Sequence, residues 1–225
     1  MRIYFRAVAA TVVLGLILVV AATAQQMVDK TVATVSDGVR TELITYSDLK
    51  WQLALQPNVS ITPPSSEDLN RALRLLIDQR LFLLEAERLP REPATKAEIN
   101  AKISEILSYF RSPVEFERRL NIVGFKSVSD PNFEQIIAER VTIDKYLAFR
   151  FRSFIVITAE DEAVYYRDVY VPEFRRKNPG VIVPPLQSKR AEIVEALTET
   201  RVAQQIETFL DEAKRRSEII ILSPV

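Results

Sequence analysis

The sequence predicts a mostly α-helical, multi-helix domain with a small β-hairpin that is joined by a strand from the far end of the chain. Three observations carry this prediction. Glycine is scarce: beyond residue 24 only Gly38, Gly124 and Gly180 remain, each between periodic segments where the backbone has to turn. Helix starts recur, marked by Ser, Thr or Asp three residues ahead of an acid or directly ahead of a proline. Short β-branched runs stand near both ends, too brief for helices.

The first segment, "MRIYFRAVAATVVLGLILVVAATAQQ", carries Arg2 and Arg6, an apolar run from Ala7 to Val20, and the small-residue pattern Ala22-Thr23-Ala24. That is the layout of a secretory signal peptide, residues 1–24, with cleavage expected after Ala24 and an uncleaved N-terminal anchor as the alternative. The run is short for a stable membrane span. Cleavage would leave 201 residues, enough for one substantial core.

The hairpin comes next. In "TVATVSDGVRTELI", Asp37-Gly38 forms a turn signal between Thr31–Ser36 and Val39–Ile44. The helices follow their start signals: Thr45-x-x-Asp48 before "LKWQLAL", Ser65 to Asp68 before a run reaching Leu89, Thr95-x-x-Glu98, Ser112-Pro113-x-Glu115, Asp130-Pro131, and Thr158-x-x-Asp161. Stops are expected at Pro90, Gly124 and Asn178-Pro179-Gly180. In "DLNRALRLLIDQRLFLLEAERL" the polar residues Arg71, Arg74, Asp78, Glu85 and Arg88 trace one narrow strip, so the helix is expected to be nearly surrounded and central.

The last helix runs from Leu186 to about Arg216. Val202, Ile206, Phe209 and Ala213 form its inner stripe, and Asp211/Arg215 and Glu212/Arg216 are expected as ion pairs outside. It leads into "EIIILSP", a β-branched run ended by Pro224. An isolated hairpin is marginal and an unpaired Ile-Ile-Ile run would aggregate, so this last run is expected to pair with the hairpin and bring the two ends together.

Composition narrows the function. There is no cysteine and no histidine, which excludes a lipoprotein anchor, a disulfide framework, a thiolate nucleophile and every imidazole-based triad. The chain beyond residue 24 holds 28 basic and 30 acidic residues, a balance that offers no basic stripe for nucleic acid. Adjacent acids, Glu67-Asp68 and Glu160-Asp161-Glu162, fall in first helical turns, where they read as caps and dipole partners rather than as a catalytic pair. Asp211-Glu212 sits on a helix exterior. No metal set, phosphate loop or nucleophile–base pair emerges, and no cofactor is expected.

The order of hairpin, helix, "LLIDQRLFLLEAERL", a short helix ending "EFERRLNIVGF", and a long helix running into "VITAEDEAVYYRD" resembles the N-terminal chaperone domain of SurA-type periplasmic chaperones. The likeness spans about Asp29 to Arg167. "SEIIIL" after an amphipathic helix is similar to the C-terminal helix and strand that return to that domain. The resemblance implies one chaperone domain over residues 25–178, with a hinge, helix and strand over 179–225 packing back on it. In most relatives a parvulin-type prolyl isomerase domain follows the paired tyrosines. Here "NPGVIVPP" leads straight into the last helix, so the isomerase is absent from this sequence.

The resemblance implies an ATP-independent, non-catalytic holdase in the periplasm whose partners are unfolded or partly folded polypeptides, outer-membrane proteins among them, held in an apolar groove. Trp51, Phe110, Phe125, Tyr166, Tyr170 and Phe174 are the candidate lining. The plainer reading of Trp51, Tyr109, Phe110, Phe116 and Phe125 is core packing around the central helix. Tyr166, Tyr170 and Phe174 share one helix face provided the helix survives Pro172, and either pack inward or keep a wet edge. Arg175-Arg176-Lys177 reads as a solvated helix end matched to the dipole. No nucleic-acid partner and no stable membrane insertion after cleavage are expected, and a homodimer through the Pro179–Pro185 hinge stays open. The alternative function is a dedicated interaction subunit of an envelope assembly with one fixed partner; a third, prolyl isomerisation, is expected to be absent.

Overall fold

The computed structural model describes residues 29–89 and 92–225. The signal-peptide reading and the Pro90 stop therefore lie outside the described residues. Strand β1 (Thr31–Ser36) and strand β2 (Thr41–Thr45) form the hairpin, and β3 (Glu218–Ile221) pairs antiparallel with β1, giving the order β2-β1-β3. The last run thus joins the hairpin as expected. Beyond it, Leu222 N–H donates to the Val32 carbonyl at 2.8 Å, and Asn70 donates to the Val225 carbonyl at 3.0 Å.

The turn differs from the two-residue form that Asp37-Gly38 suggests. The Asp37 carboxylate accepts from Val39 N–H (2.9 Å) and Arg40 N–H (2.7 Å), so these residues stay in the loop and β2 begins at Thr41. Gly38 supplies the positive φ of 86° that this loop needs. Arg88 bonds the same carboxylate at 2.7 Å, and these donors, led by Arg40 N–H, hold its pKa well below the ordinary range.

Helix α1 (Tyr46–Ala54) leaves β2 directly, because Thr45 and Asp48 close a reciprocal capping box. Helix α2 (Ser66–Ala86) starts at Ser65, whose side chain accepts from Asp68 N–H. It ends at Ala86, three residues before the expected Leu89. Its buried positions, from Leu69 through Leu84, cover most of its circumference, so the central role is as read. Helices α3 (Lys96–Ser108), α4 (Pro113–Ile122) and α5 (Pro131–Leu147) begin at Thr95, Ser112 and Asp130, each with a side-chain cap.

Three apolar clusters result. The first joins the inner sheet face, α1 and α2, and reaches Ala213 and Ile219 near the far end of the chain. The second lies among α1, α3, α4 and α5, around Phe116, Leu120, Phe133 and Ile137. Arg119 fastens α4 to the end of α1: its guanidinium donates to the carbonyls of Leu53 (2.8 Å), Ala54 (3.1 Å), Gln56 (2.8 Å) and Val59 (2.9 Å). It thereby satisfies carbonyls that a helix C-terminus leaves bare.

The chain leaves α5 through a π turn (Ala148–Arg152) and enters α6 (Ala159–Tyr165), which starts at a Thr158–Asp161 capping box. A second π turn (Tyr166–Tyr170) leads into α7 (Val171–Lys177). It solves the proline problem: Val171 N–H donates five residues back to Tyr166, and the widened turn lets the helix pass Pro172, which has no N–H to give. Asn178 closes α7 on the Phe174 carbonyl.

Helix α8 (Leu186–Arg216) is 31 residues, about 46 Å, and serves two neighbours. Its C-terminal half places Val202, Ile206 and Phe209 in the third cluster, against Phe82, Tyr146 and Phe151. Its N-terminal half meets α6 and the second π turn, and Ile193 is fully buried there. Neither of the ion pairs predicted on its outer face is found. Arg216 instead reaches Glu85 of α2 at 3.6 Å, because α8 docks close enough for a cross-helix carboxylate to compete.

Candidate functional site

The six aromatic candidates fall into two separate groups. Trp51, Phe110 and Phe125 belong to the second cluster. Trp51 and Phe125 have ring centroids 5.2 Å apart, Trp51 Nε1 donates to the Val123 carbonyl at 3.1 Å, and Phe110 packs on Phe116 at 4.8 Å. Phe110 and Phe125 are buried and Trp51 is half-buried. Their positions, like that of buried Phe116, match the plainer reading, in which these rings hold the middle helices together; Tyr109, read the same way, is instead 61 % exposed at the end of α3.

Tyr166, Tyr170 and Phe174 form a ladder of stacked rings with centroid spacings of 5.6 and 5.9 Å. All three are half-buried. Tyr166 Oη donates to the Pro184 carbonyl at 2.8 Å, so the ladder ties the segment after α7 back onto the arm formed by α6, the second π turn and α7, residues 159–177. Neither of the two outcomes weighed for these rings holds alone: they pack on one another and on the connecting segment, and keep a wet edge.

The larger exposed apolar surface lies where periodicity gave no signal. Phe149 is 52 % exposed, Phe154 72 % and Val156 73 %, all in or just past the first π turn. The rings of Phe149 and Phe154 meet at 6.1 Å edge to face. Val164 and Val169 on the arm are also exposed, as are Val181 and Ile182 beyond α7. Phe149 sits in the π turn, and Phe154 and Val156 in the turn and loop that follow, so a 3.6-residue repeat assigns none of them a face.

Two shallow depressions run along α8 beside these residues. One, of about 330 Å³, lies between α6 and α8 and is lined by Val164, Tyr165, Val169 and Leu197 with Glu160, Asp161 and Asp168. The other, of about 460 Å³, is lined by Arg150, Phe151, Phe209, Gln204, Gln205 and their neighbours. The α8 residues involved, Leu197, Arg201, Gln204, Thr208 and Glu212, share one helix face. Arg201 lines the second depression and bonds Asp161 of the first at 2.6 Å, so an ion pair stands between them.

Charged pairs bind the arm to α8. Glu162, whose side chain is 5 % exposed, takes both Arg190 Nε (2.7 Å) and Nη2 (3.0 Å). Arg152 grips Glu195 at 2.5 Å and also Glu199, whose pKa it lowers. Asp161 is held below the ordinary carboxylate range, first by Thr158 N–H, then by the Thr158 hydroxyl and Arg201. Asp161 is therefore shared between a cap and an ion pair, and Glu162 is held in a buried bidentate bridge. Asp68 is likewise bonded to the Ser65 cap. These carboxylates are committed to structure, and the depressions offer contact area with a few polar groups.

Comparison with protein-family models and with curated proteins finds no match for this chain.

Proposed function

We propose that the chain is a non-catalytic, ATP-independent holdase exported to the periplasm, a SurA-like chaperone domain without the parvulin module. It takes unfolded or partly folded polypeptides, outer-membrane proteins among them, as clients. The observation that carries this reading is the exposed apolar stretch of Phe149, Phe154, Val156, Val164 and Val169 beside the depressions along α8. Clustered exposed apolar side chains on a folded chain, such as the touching Phe149 and Phe154, mark an interaction site. A shallow lining with few fixed polar partners suits weak and promiscuous binding. The order of elements, from hairpin to returning strand, and the export signal in the sequence add to it.

The test is aggregation of a urea-unfolded outer-membrane β-barrel protein on dilution, followed by light scattering with and without the purified chain. Suppression is expected, and it weakens when Phe149 and Phe154 are both changed to Ser. No suppression at several-fold molar excess of chain refutes the proposal. Recovery from cells with a single stoichiometric partner would instead favour the fixed-subunit reading.

A further inference from the structure

The two edges of the sheet are guarded unequally. On the β2 side the edge strand is Thr41–Thr45, with charged residues in and beside it. Arg40 donates to the Leu84 carbonyl at 3.1 Å and pairs with Glu87, while Glu42 lies 3.9 Å from Arg80, so charged side chains tie that edge to α2. Charges of this kind are a usual means of blunting an edge. On the β3 side the strand is Glu218-Ile219-Ile220-Ile221, continued by Leu222, with one charge at its start and its first proline at Pro224.

Register fixes which groups this edge offers. Leu222 N–H bonds Val32, and the pairing of β3 with β1 places Ile220 opposite Thr34 and Glu218 opposite Ser36. Residues 218, 220 and 222 therefore bond β1, and the N–H and C=O groups of Ile219 and Ile221 point to the free side, with no described strand beyond them. The side chain of Ile219 packs on the first cluster, which puts those of Ile220 and Leu222 on the outer face. Both are exposed, as is Leu43, which lies across Thr34 in the same row.

We infer that the free edge of β3 is a strand-addition site for an extended, apolar, β-branched segment of an unfolded polypeptide. The segment would bond Ile219 and Ile221 through its main chain and lay alternate side chains beside Ile220 and Leu222. The size of the edge selects this occupant. Four residues span about 13 Å, and the area covered falls far below the roughly 1,200 Å² of a stable dimer. Main-chain bonding with little side-chain discrimination fits a transient, sequence-tolerant client. This inference rests on the holdase reading and adds a second contact to it, separate from the surface along α8.

The test uses the purified protein and a short fluorescein-labelled peptide of alternating valine and threonine with a lysine at each end, followed by anisotropy. Saturable binding is expected. Ile221→Pro deletes an outward N–H that pairs with no described strand, and Ile220→Lys sets a charge on the outer face; each should weaken binding at least about tenfold. Thermal melting of both should match the parent chain. If Ile221→Pro fails to fold, Ile220→Lys decides. Unchanged affinity in Ile220→Lys overturns the inference. So does a parent chain that suppresses aggregation but does not bind the peptide, an outcome that leaves the holdase reading standing. A concentration-dependent dimer abolished by the same substitutions would place a second copy on the edge and overturn the inference as well.

Discussion

Phe209 is the ring through which α8 is fixed to the body, and Phe209→Ala should be costly. It stacks on Phe82 of α2 with centroids 5.5 Å apart and an interplanar angle of 10°, meets Phe151 of the first π turn at 5.5 Å, and meets Tyr146 of α5 at 6.2 Å. It borders both the first and third clusters. A fully buried Phe→Ala change costs about 3–5 kcal/mol. Phe209 is half-buried, so the transfer part shrinks, while the ring contacts add roughly 0.5–1.5 kcal/mol each. The two corrections oppose, and a loss of about 2–4 kcal/mol is expected. At roughly 2–4 °C per kcal/mol for a chain of this size, the melting midpoint should fall by about 4–16 °C. Urea unfolding followed by circular dichroism measures it, with the midpoint moving and the slope unchanged. Phe209→Leu, which keeps most of the volume, should lose less than half as much. A loss below about 1 kcal/mol for Phe209→Ala would mean that α8 does not depend on this ring, and the docking argued from the third cluster would fail.

Two further predictions concern the middle helices. Arg119→Ala strands the carbonyls at the end of α1 and should cost about 2–4 kcal/mol by urea unfolding, with Arg119→Lys recovering only part, since an ammonium cannot span the same acceptors. Arg118→Ala, the exposed neighbour, should be near neutral. The pKa of Glu98 is lowered from its ordinary 4.5 to about 2, first by Thr95 N–H, then by Lys145 and the Thr95 hydroxyl. Its folded pKa lies below the unfolded one, so its contribution is complete above the ordinary value and is lost as pH falls from about 4.5 through about 2. Melting midpoints measured down that range should drop less steeply for Glu98→Gln, which forms no carboxylate to titrate.

What was legible in the sequence follows from the range over which each cause acts. Caps are local: Thr45, Ser65, Thr95, Ser112, Asp130 and Thr158 each bond a backbone N–H two or three residues on, and each starts a helix where read. The burial of α2 followed from its narrow polar strip, and the return of β3 from the cost of leaving an isoleucine run unpaired. The candidate site was less legible. Trp51, Phe110 and Phe125 are aromatic for packing, and composition alone cannot separate a ring in a core from one in a groove. Phe149 and Phe154 give no signal in the sequence because one sits in a π turn and the other in the irregular segment just past it, and neither leaves a mark in hydrophobic period. The choice of Arg216 for Glu85 depends on which helices meet, a tertiary outcome beyond any i,i+4 rule.

The two halves of α8 are held by different forces, and this predicts where the molecule opens first. Its C-terminal half is anchored by aromatic packing that salt does not weaken. Its N-terminal half carries buried Ile193 but is otherwise joined to the arm largely by Arg190–Glu162 and Arg201–Asp161, and to the first π turn by the Arg152 pairs, most with exposed partners. Exposed ion pairs are worth at most about 1 kcal/mol each and are screened within about 8 Å at physiological salt. Only Arg190–Glu162, with its carboxylate buried and doubly bonded, should resist. The arm, residues 159–177, is therefore expected to exchange its amide hydrogens much faster than α2, and faster again in about 1 M salt, where the Debye length shrinks to about 3 Å. Glu162→Gln, which removes the one pair that salt leaves standing, should speed exchange of the arm at low and at high salt alike, while α2 exchanges as before. Equal protection of arm and α2, indifferent to salt, would show that packing alone holds the arm. The depression lined by Val164 and Leu197 would then be a fixed surface, with no opening of the arm to widen it.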